Sequence, residues 1–326
     1  MSIRPIQLSV VVISLTLAAA CSAPEPTATP ASTPSPTPLP AMSGSGGGVI
    51  AFVSARDGND EIFVMNADGT DQTQLTHTDA SRRNFHPSWS PDGSHIVYQA
   101  EPTQGRQNIS VISIGGTDAR QLTSERNSRR PAWSPDDTRI AFDQWNGRNT
   151  GLCTISPDGT DQQCLTPVTP DADFFDPAWS PDGSRIVCAL HSHPGGRDEG
   201  YRIHILDVAA ARQNAQGDNT RRLVEGGDAE EDNPTWSPDG QQIAFTSVRE
   251  GHWQIFVVDA DGTNLRQLTH DAVEHLYPTW SPDGKRIAFQ SNPGGQWDIY
   301  VMNVDGTELL RLTTHGASDQ HPAWRP

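Results

Sequence analysis

The sequence carries almost no helical signal. No long 3.6-residue period appears in it, and after Ile6–Ala20 there is no second long apolar run. The folded part is therefore expected to be almost entirely β. Basic charge is scarce as well: 23 Lys and Arg stand against 40 Asp and Glu, a formal net charge of −17. Nucleic-acid binding needs a basic footprint, and this body is acidic, so that class is excluded. No Gly-x-Ser-x-Gly turn, no Gly-rich phosphate loop before a helix and no EF-hand spacing occur. Nucleophilic hydrolysis and phosphate-loop chemistry find no support.

What the chain has instead is one stretch used again and again. It reads Tyr277-Pro278-Thr279-Trp280-Ser281-Pro282-Asp283-Gly284-Lys285-Arg286-Ile287-Ala288-Phe289. The part up to Trp280 predicts a short strand. Ser-Pro-Asp-Gly predicts a type I turn: Pro presets φ, Asp accepts a backbone hydrogen bond, and Gly takes the left-handed position of a bulged hairpin. Ile-Ala-Phe starts the partner strand with apolar side chains. One hairpin buries no Trp alone, so neighbouring copies must cover it.

The tryptophans fall at Trp89, Trp133, Trp179, Trp236, Trp280 and Trp324, at intervals of 44, 46, 57, 44 and 44 residues. A period in the forties with one Trp per repeat marks a β-propeller with four strands per blade. The Ile-Ala-Phe element begins at Ile50, Ile96, Ile140, Ile186, Ile243 and Ile287, which makes six of each element. A third strand, such as Glu61–Asn66, leads into an Asp-Gly turn, and a fourth ends in Leu-Thr. The fourth blade departs from this rule: Leu223 is followed by Val224, and Asp207–Thr220 replaces the tight turn with a longer loop. The chain begins with a second strand and ends with a first strand. The expected fold is an all-β, six-bladed propeller, its ring closed by joining the N-terminal strands with the C-terminal strand, which removes an open edge.

The Pro-x-Trp-Ser-Pro-Asp-Gly-x-x-Ile-Ala-Phe pattern resembles the WD-repeat-like propeller of the TolB family, over residues 49–326. The resemblance implies the fold directly. It implies an envelope binding role only by analogy, because propellers host many unrelated sites. TolB proteins carry a small α/β domain before the propeller, where this sequence is read as signal and linker.

Residues 1–20 read as a signal peptide, with Arg4 before the apolar stretch Ile6–Ala20. Leu17-Ala18-Ala19-Ala20-Cys21 resembles a bacterial lipoprotein processing box with Cys21 as the lipidated residue; the alternative is ordinary cleavage after Ala-x-Ala. Residues 21–48, rich in Pro, Thr, Ser and Gly, predict a spacer that holds a folded domain off a membrane. Cys153 and Cys164 each stand five residues from the Asp158-Gly159 turn, so a two-residue hairpin sets them opposite each other for a disulfide in an exported protein. Cys188 replaces the Phe of Ile-Ala-Phe and is expected in the core.

Propeller ligands usually meet the face where the fourth-to-first loops emerge. There the residue before the repeated Pro varies: His86, Arg130, Asp176, Asn233, Tyr277 and His321. These six are the expected binding surface, against a plainer reading in which they only cap a water-filled channel. Asp228, Glu230, Glu231 and Asp232 have the oxygen chemistry for Ca²⁺, with a solvated charge run as the plainer reading. Asp171, Asp173 and Asp176 lie in the neighbouring loop. His191-Ser192-His193, joined by His86 and His321, has the composition of a transition-metal site, like the central histidines of related propeller lyases of pectic oligomers; the neutral reading is two exposed loop histidines. Trp145, Trp253 and Trp297, in second-to-third loops, are candidates for partner or carbohydrate contact.

Together these features predict an exported, membrane-tethered, monomeric scaffold that binds an envelope protein or glycan without catalysis. The alternative is an envelope enzyme with a central cation acting on a polysaccharide or small ester.

Overall fold

The computed structural model describes residues 48–102, 106–215, 219–249 and 251–326. The expectations for residues 1–47, Cys21 included, lie outside them. The described residues form six antiparallel sheets of four strands each. Blade one is closed as expected: the last strand, Asp319–Trp324, pairs with Val49–Ser54 in the register Ile50↔Trp324 and Ala51↔Ala323. Blades two to six begin with inner strands at Arg82–Trp89, Asn127–Trp133, Ala172–Trp179, Glu231–Trp236 and His275–Trp280.

The Ser-Pro-Asp-Gly turn works as read, with one addition. In blade six Ser281 Oγ donates to Asp283 Oδ1 at 2.6 Å, Asp283 Oδ1 accepts Lys285 N–H at 3.1 Å, and Ser281 Oγ accepts Arg286 N–H at 2.9 Å. The serine hydroxyl thus ties the turn to the start of the next strand. Where blade three has Asp137 instead of Gly, that residue takes the left-handed conformation at φ 61°. The Leu-Thr ending also has a defined job. Thr313 Oγ1 accepts Ile299 N–H at 2.9 Å, and Thr76, Thr123, Thr166 and Thr269 do the same in their blades. Each covers a third-strand amide that would otherwise be buried unpaired.

Blades are joined through the tryptophans. Trp89 Nε1 donates to Ala323 O of blade one at 3.0 Å, and Trp179 Nε1 to Ala132 O of blade three at 3.1 Å. The rings pack into shared cores: Trp89 lies with Val64 and Leu75 of blade one and Ile96 and Ile112 of its own blade. The Asp-Gly turns press on the preceding blade. A Cβ at Gly69 would stand 2.7 Å from Leu312 O, and one at Gly306 2.8 Å from Leu268 O, so only glycine fits there.

Blade four differs from expectation in its loop. Val208–Gln213 is a short α-helix, capped by Asp207, whose side chain accepts Ala210 N–H. Val208 and Ala211 are buried with Leu165 of blade three, where other blades place a glycine turn. The Ala-rich run prefers a helix, and the apolar face supplies the cover. Cys153 and Cys164 are opposite one another in register and form a disulfide. Cys188 is fully buried.

Candidate functional site

The six residues before the repeated prolines come together. His86, Arg130, Asp176, Asn233, Tyr277 and His321 line one cavity of about 300 Å³ at the channel, with the proline that follows each. The backbone explains how. All six have left-handed φ, between 49° and 55°. In blade two Phe85 pairs with Gln99 and Ser88 with Val97, so His86 and Pro87 together oppose Tyr98 alone, a β-bulge. The same two-against-one step recurs in every blade, opposite Phe142, Cys188, Phe245, Phe289 and Phe52. The inner strand is a sheet edge, where Pro costs no ladder bond. The bulge turns the preceding residue toward the channel, at about 1–2 kcal/mol for each left-handed non-glycine residue. Neighbouring blades hold two of these amides: Gln99 Oε1 accepts Arg130 N–H at 3.3 Å, and Gln290 Oε1 accepts His321 N–H at 2.8 Å.

Around the ring the site has two halves. Blades six, one and two contribute an aromatic group. The rings of His86 and His321 are 4.0 Å apart, and Tyr277 meets His321 edge-on at 4.5 Å. Desolvation, with Arg130 nearby, holds His321 down to about 3; desolvation, His321 and Arg130 hold His86 well below its ordinary value. Both imidazoles are neutral near pH 7. Desolvation, with Asp176, raises the Tyr277 phenol.

Blades three to five contribute an ionic group. Arg130 Nε lies 3.1 Å from Asp176 Oδ1 and its guanidinium 3.6 Å from Asp143; Arg129 Nε donates to Asp143 Oδ2 at 2.9 Å. The Arg130–Asp176 pair is an ion pair without hydrogen-bond alignment, since Nε has no hydrogen-bond partner among the described residues. Desolvation pushes buried Asp143 up to about 6, against the pull of the two arginines. Desolvation, then the neighbouring Asp176, raises Asp232 well above the ordinary carboxyl range. The cavity thus offers neutral imidazoles and a phenol facing an arginine set among carboxyls. Asp143 is a site residue that the repeat pattern does not mark. Its signal is an acidic residue just after Ile-Ala-Phe, where other blades have Val53, Gln99, Ala189, Thr246 and Gln290.

The acidic run is split by its strand. Asp228 and Glu230 are exposed beside Arg202 and Arg222. Glu231 is buried, pairs with Arg249, and accepts Ile203 N–H at 3.1 Å. That amide is the one a Leu-Thr hydroxyl covers elsewhere; Val224 has no hydroxyl, and Glu231 takes its place. Asp232 turns instead toward Asp176. Among the described residues these four do not form a cluster of metal-ligating atoms; Asp173, His191 and His193 do, and His86 and His321 do not belong to it. Trp145 is 40% exposed beside Arg129, Arg148 and Phe175, while Trp253 and Trp297 are half-buried.

The model of the TolB beta propeller domain matches residues 40–182, 172–274 and 217–326. The chain belongs to the TolB β-propeller family. A relative is the Tol-Pal system protein TolB of Anaeromyxobacter dehalogenans, 31% identical over 36% of this chain and 26% of its own length. The chain spans from about a quarter to about half of the curated relatives it matches, 26% and 49% in two cases. The crystal structure of TolB from Acinetobacter baumannii superimposes with a TM-score of 0.70 at 20% identity, over 86% of this chain and 67% of that one. An oligogalacturonate lyase in complex with manganese superimposes with a TM-score of 0.54 at 16% identity, over 82% and 74%. These last two likenesses show the fold alone.

Proposed function

We propose that this propeller is an exported binding module of the cell envelope, tethered through a lipid on Cys21, that receives a protein partner at the channel mouth and does no chemistry on it. One observation carries the reading. Six equivalent backbone positions, each left-handed at an X-Pro bulge, present five different residue types to a single cavity. Most of each repeat makes turns and core, and tryptophans bridge several blades. A scaffold that repeats its backbone and varies only what it shows is built to recognise. The relative named as a Tol-Pal system protein supports an envelope partner.

The test is crosslinking and co-purification from intact cells. Wild type is compared with a variant carrying Ala at all six positions, and with His86→Ala/His321→Ala, which breaks no ion pair. Thermal unfolding confirms that each variant is folded. A protein captured by wild type and lost by a folded variant is the expected result. Equal capture by wild type and variants overturns the reading. So does turnover of an envelope polysaccharide or ester that depends on these residues.

A further inference from the structure

We propose that Asp173, His191 and His193 bind a divalent transition-metal ion on blade four, at a site separate from the channel residues and independent of the binding reading above. The strand register builds it. Asp173 on the inner strand is directly opposite His191 on the second. His193 follows two residues later, so its side chain falls on the same side as that of His191. The ligand atoms of the three side chains all lie within 4.8 Å of one another. Asp173 Oδ2 is 3.7 Å from His193 Nε2.

The surroundings pre-organise the set. Asp173 Oδ1 accepts Thr150 N–H from blade three, which leaves Oδ2 toward the imidazoles. The His191 ring stacks on Tyr201 at 4.4 Å and 12°. His191 Nε2 is 2.9 Å from Asp198 Oδ1, so a further carboxylate stands beside the three. His193 N–H donates to Asp171 O at 2.8 Å and pins the start of the loop. His193 Nδ1 is buried without a hydrogen-bond partner among the described residues. Two imidazole nitrogens and a carboxylate oxygen form the donor set of zinc and similar first-row ions, not the all-oxygen set of Ca²⁺ or Mg²⁺. The side chains are 16–24% exposed, which leaves an entry path and an open position for water or a ligand.

Zn²⁺ titration of the chelator-stripped full chain by calorimetry tests this. One Zn²⁺ per chain is expected, with affinity lowered about tenfold or more by Asp173→Asn and more still by His191→Ala/His193→Ala. His315→Ala, in an exposed loop of blade six, should leave it unchanged. No Zn²⁺ uptake by wild type, or uptake unaltered in the double variant, overturns the proposal. Should the double variant unfold, Co²⁺ added to wild type decides. Intense visible d–d bands of a low-coordinate site support it, and the spectrum of aqueous Co²⁺ overturns it.

Discussion

Each inner strand has two ends, and they are built on opposite terms. At the turn end of blades two to six, Ser-Pro-Asp recurs with the same side chains making the same hydrogen bonds, as in Ser90–Asp92 at 2.7 Å and Ser237–Asp239 at 2.6 Å. At the channel end the backbone recurs just as faithfully, with the same bulge and the same left-handed φ, yet the side chains are His, Arg, Asp, Asn, Tyr and His. The turn end repeats chemistry because that chemistry makes the fold. The channel end repeats only geometry. In every blade a Pro follows the channel residue and an aromatic or thiol side chain lies opposite, while the channel residue itself varies.

The largest way to break this contrast lies behind the bulge. Phe289 opposes Tyr277-Pro278 and is fully buried. Phe289→Ala should cost about 3–5 kcal/mol in urea unfolding. A loss below about 1 kcal/mol would mean that the core does not hold the bulge.

The next effect is a pH dependence at the channel end. His321 is held down to about 3 in the folded chain. An unfolded imidazole titrates near 6.5. As pH falls from about 6.5 toward 3, the unfolded chain takes up this proton and the folded one does not, so stability is lost on acidification, on the order of a few kcal/mol. Asp143, pushed up to about 6, acts in the opposite sense: its contribution is present at low pH and fades as pH rises through 6. His321→Asn should flatten the acid-side loss in thermal scans between pH 4 and 7. An unchanged slope would show that the imidazole is not desolvated.

The smallest effect belongs to the turn end. Asp283→Ala removes the acceptor for Ser281 Oγ–H and Lys285 N–H. About 1 kcal/mol of stability should go, with no loss of partner capture. Lost capture in a folded Asp283→Ala protein would erase the division of labour between the two ends.

Much of this was legible in the chain. Tryptophan spacing counted the blades, the order of end strands predicted closure, and the residue before each Pro marked the channel. Cys153 and Cys164 were legible because hairpin register is local. The longer loop that the repeat pattern predicts over Asp207–Thr220 contains the helix Val208–Gln213, whose local signal is Asp207 as a cap before the helix-forming run Val-Ala-Ala-Ala. In the sequence Glu231 stands among acidic neighbours, and nothing nearby shows that Val224 leaves Ile203 N–H in need of an acceptor. The Asp173–His191–His193 cluster was half visible: the two histidines stood out, and their partner lies 18 residues away from the first of them.

Turn chemistry, strand alternation and repeat period act between residues close along the chain, and these alone specify six blades of four strands. The closed ring adds what no local rule contains. It sets Asp232 of blade five against Asp176 of blade four, Arg130 of blade three against Asp176, and His86 upon His321. Those partners are far apart in sequence, and their protonation follows from desolvation and from neighbours that only the assembled channel supplies.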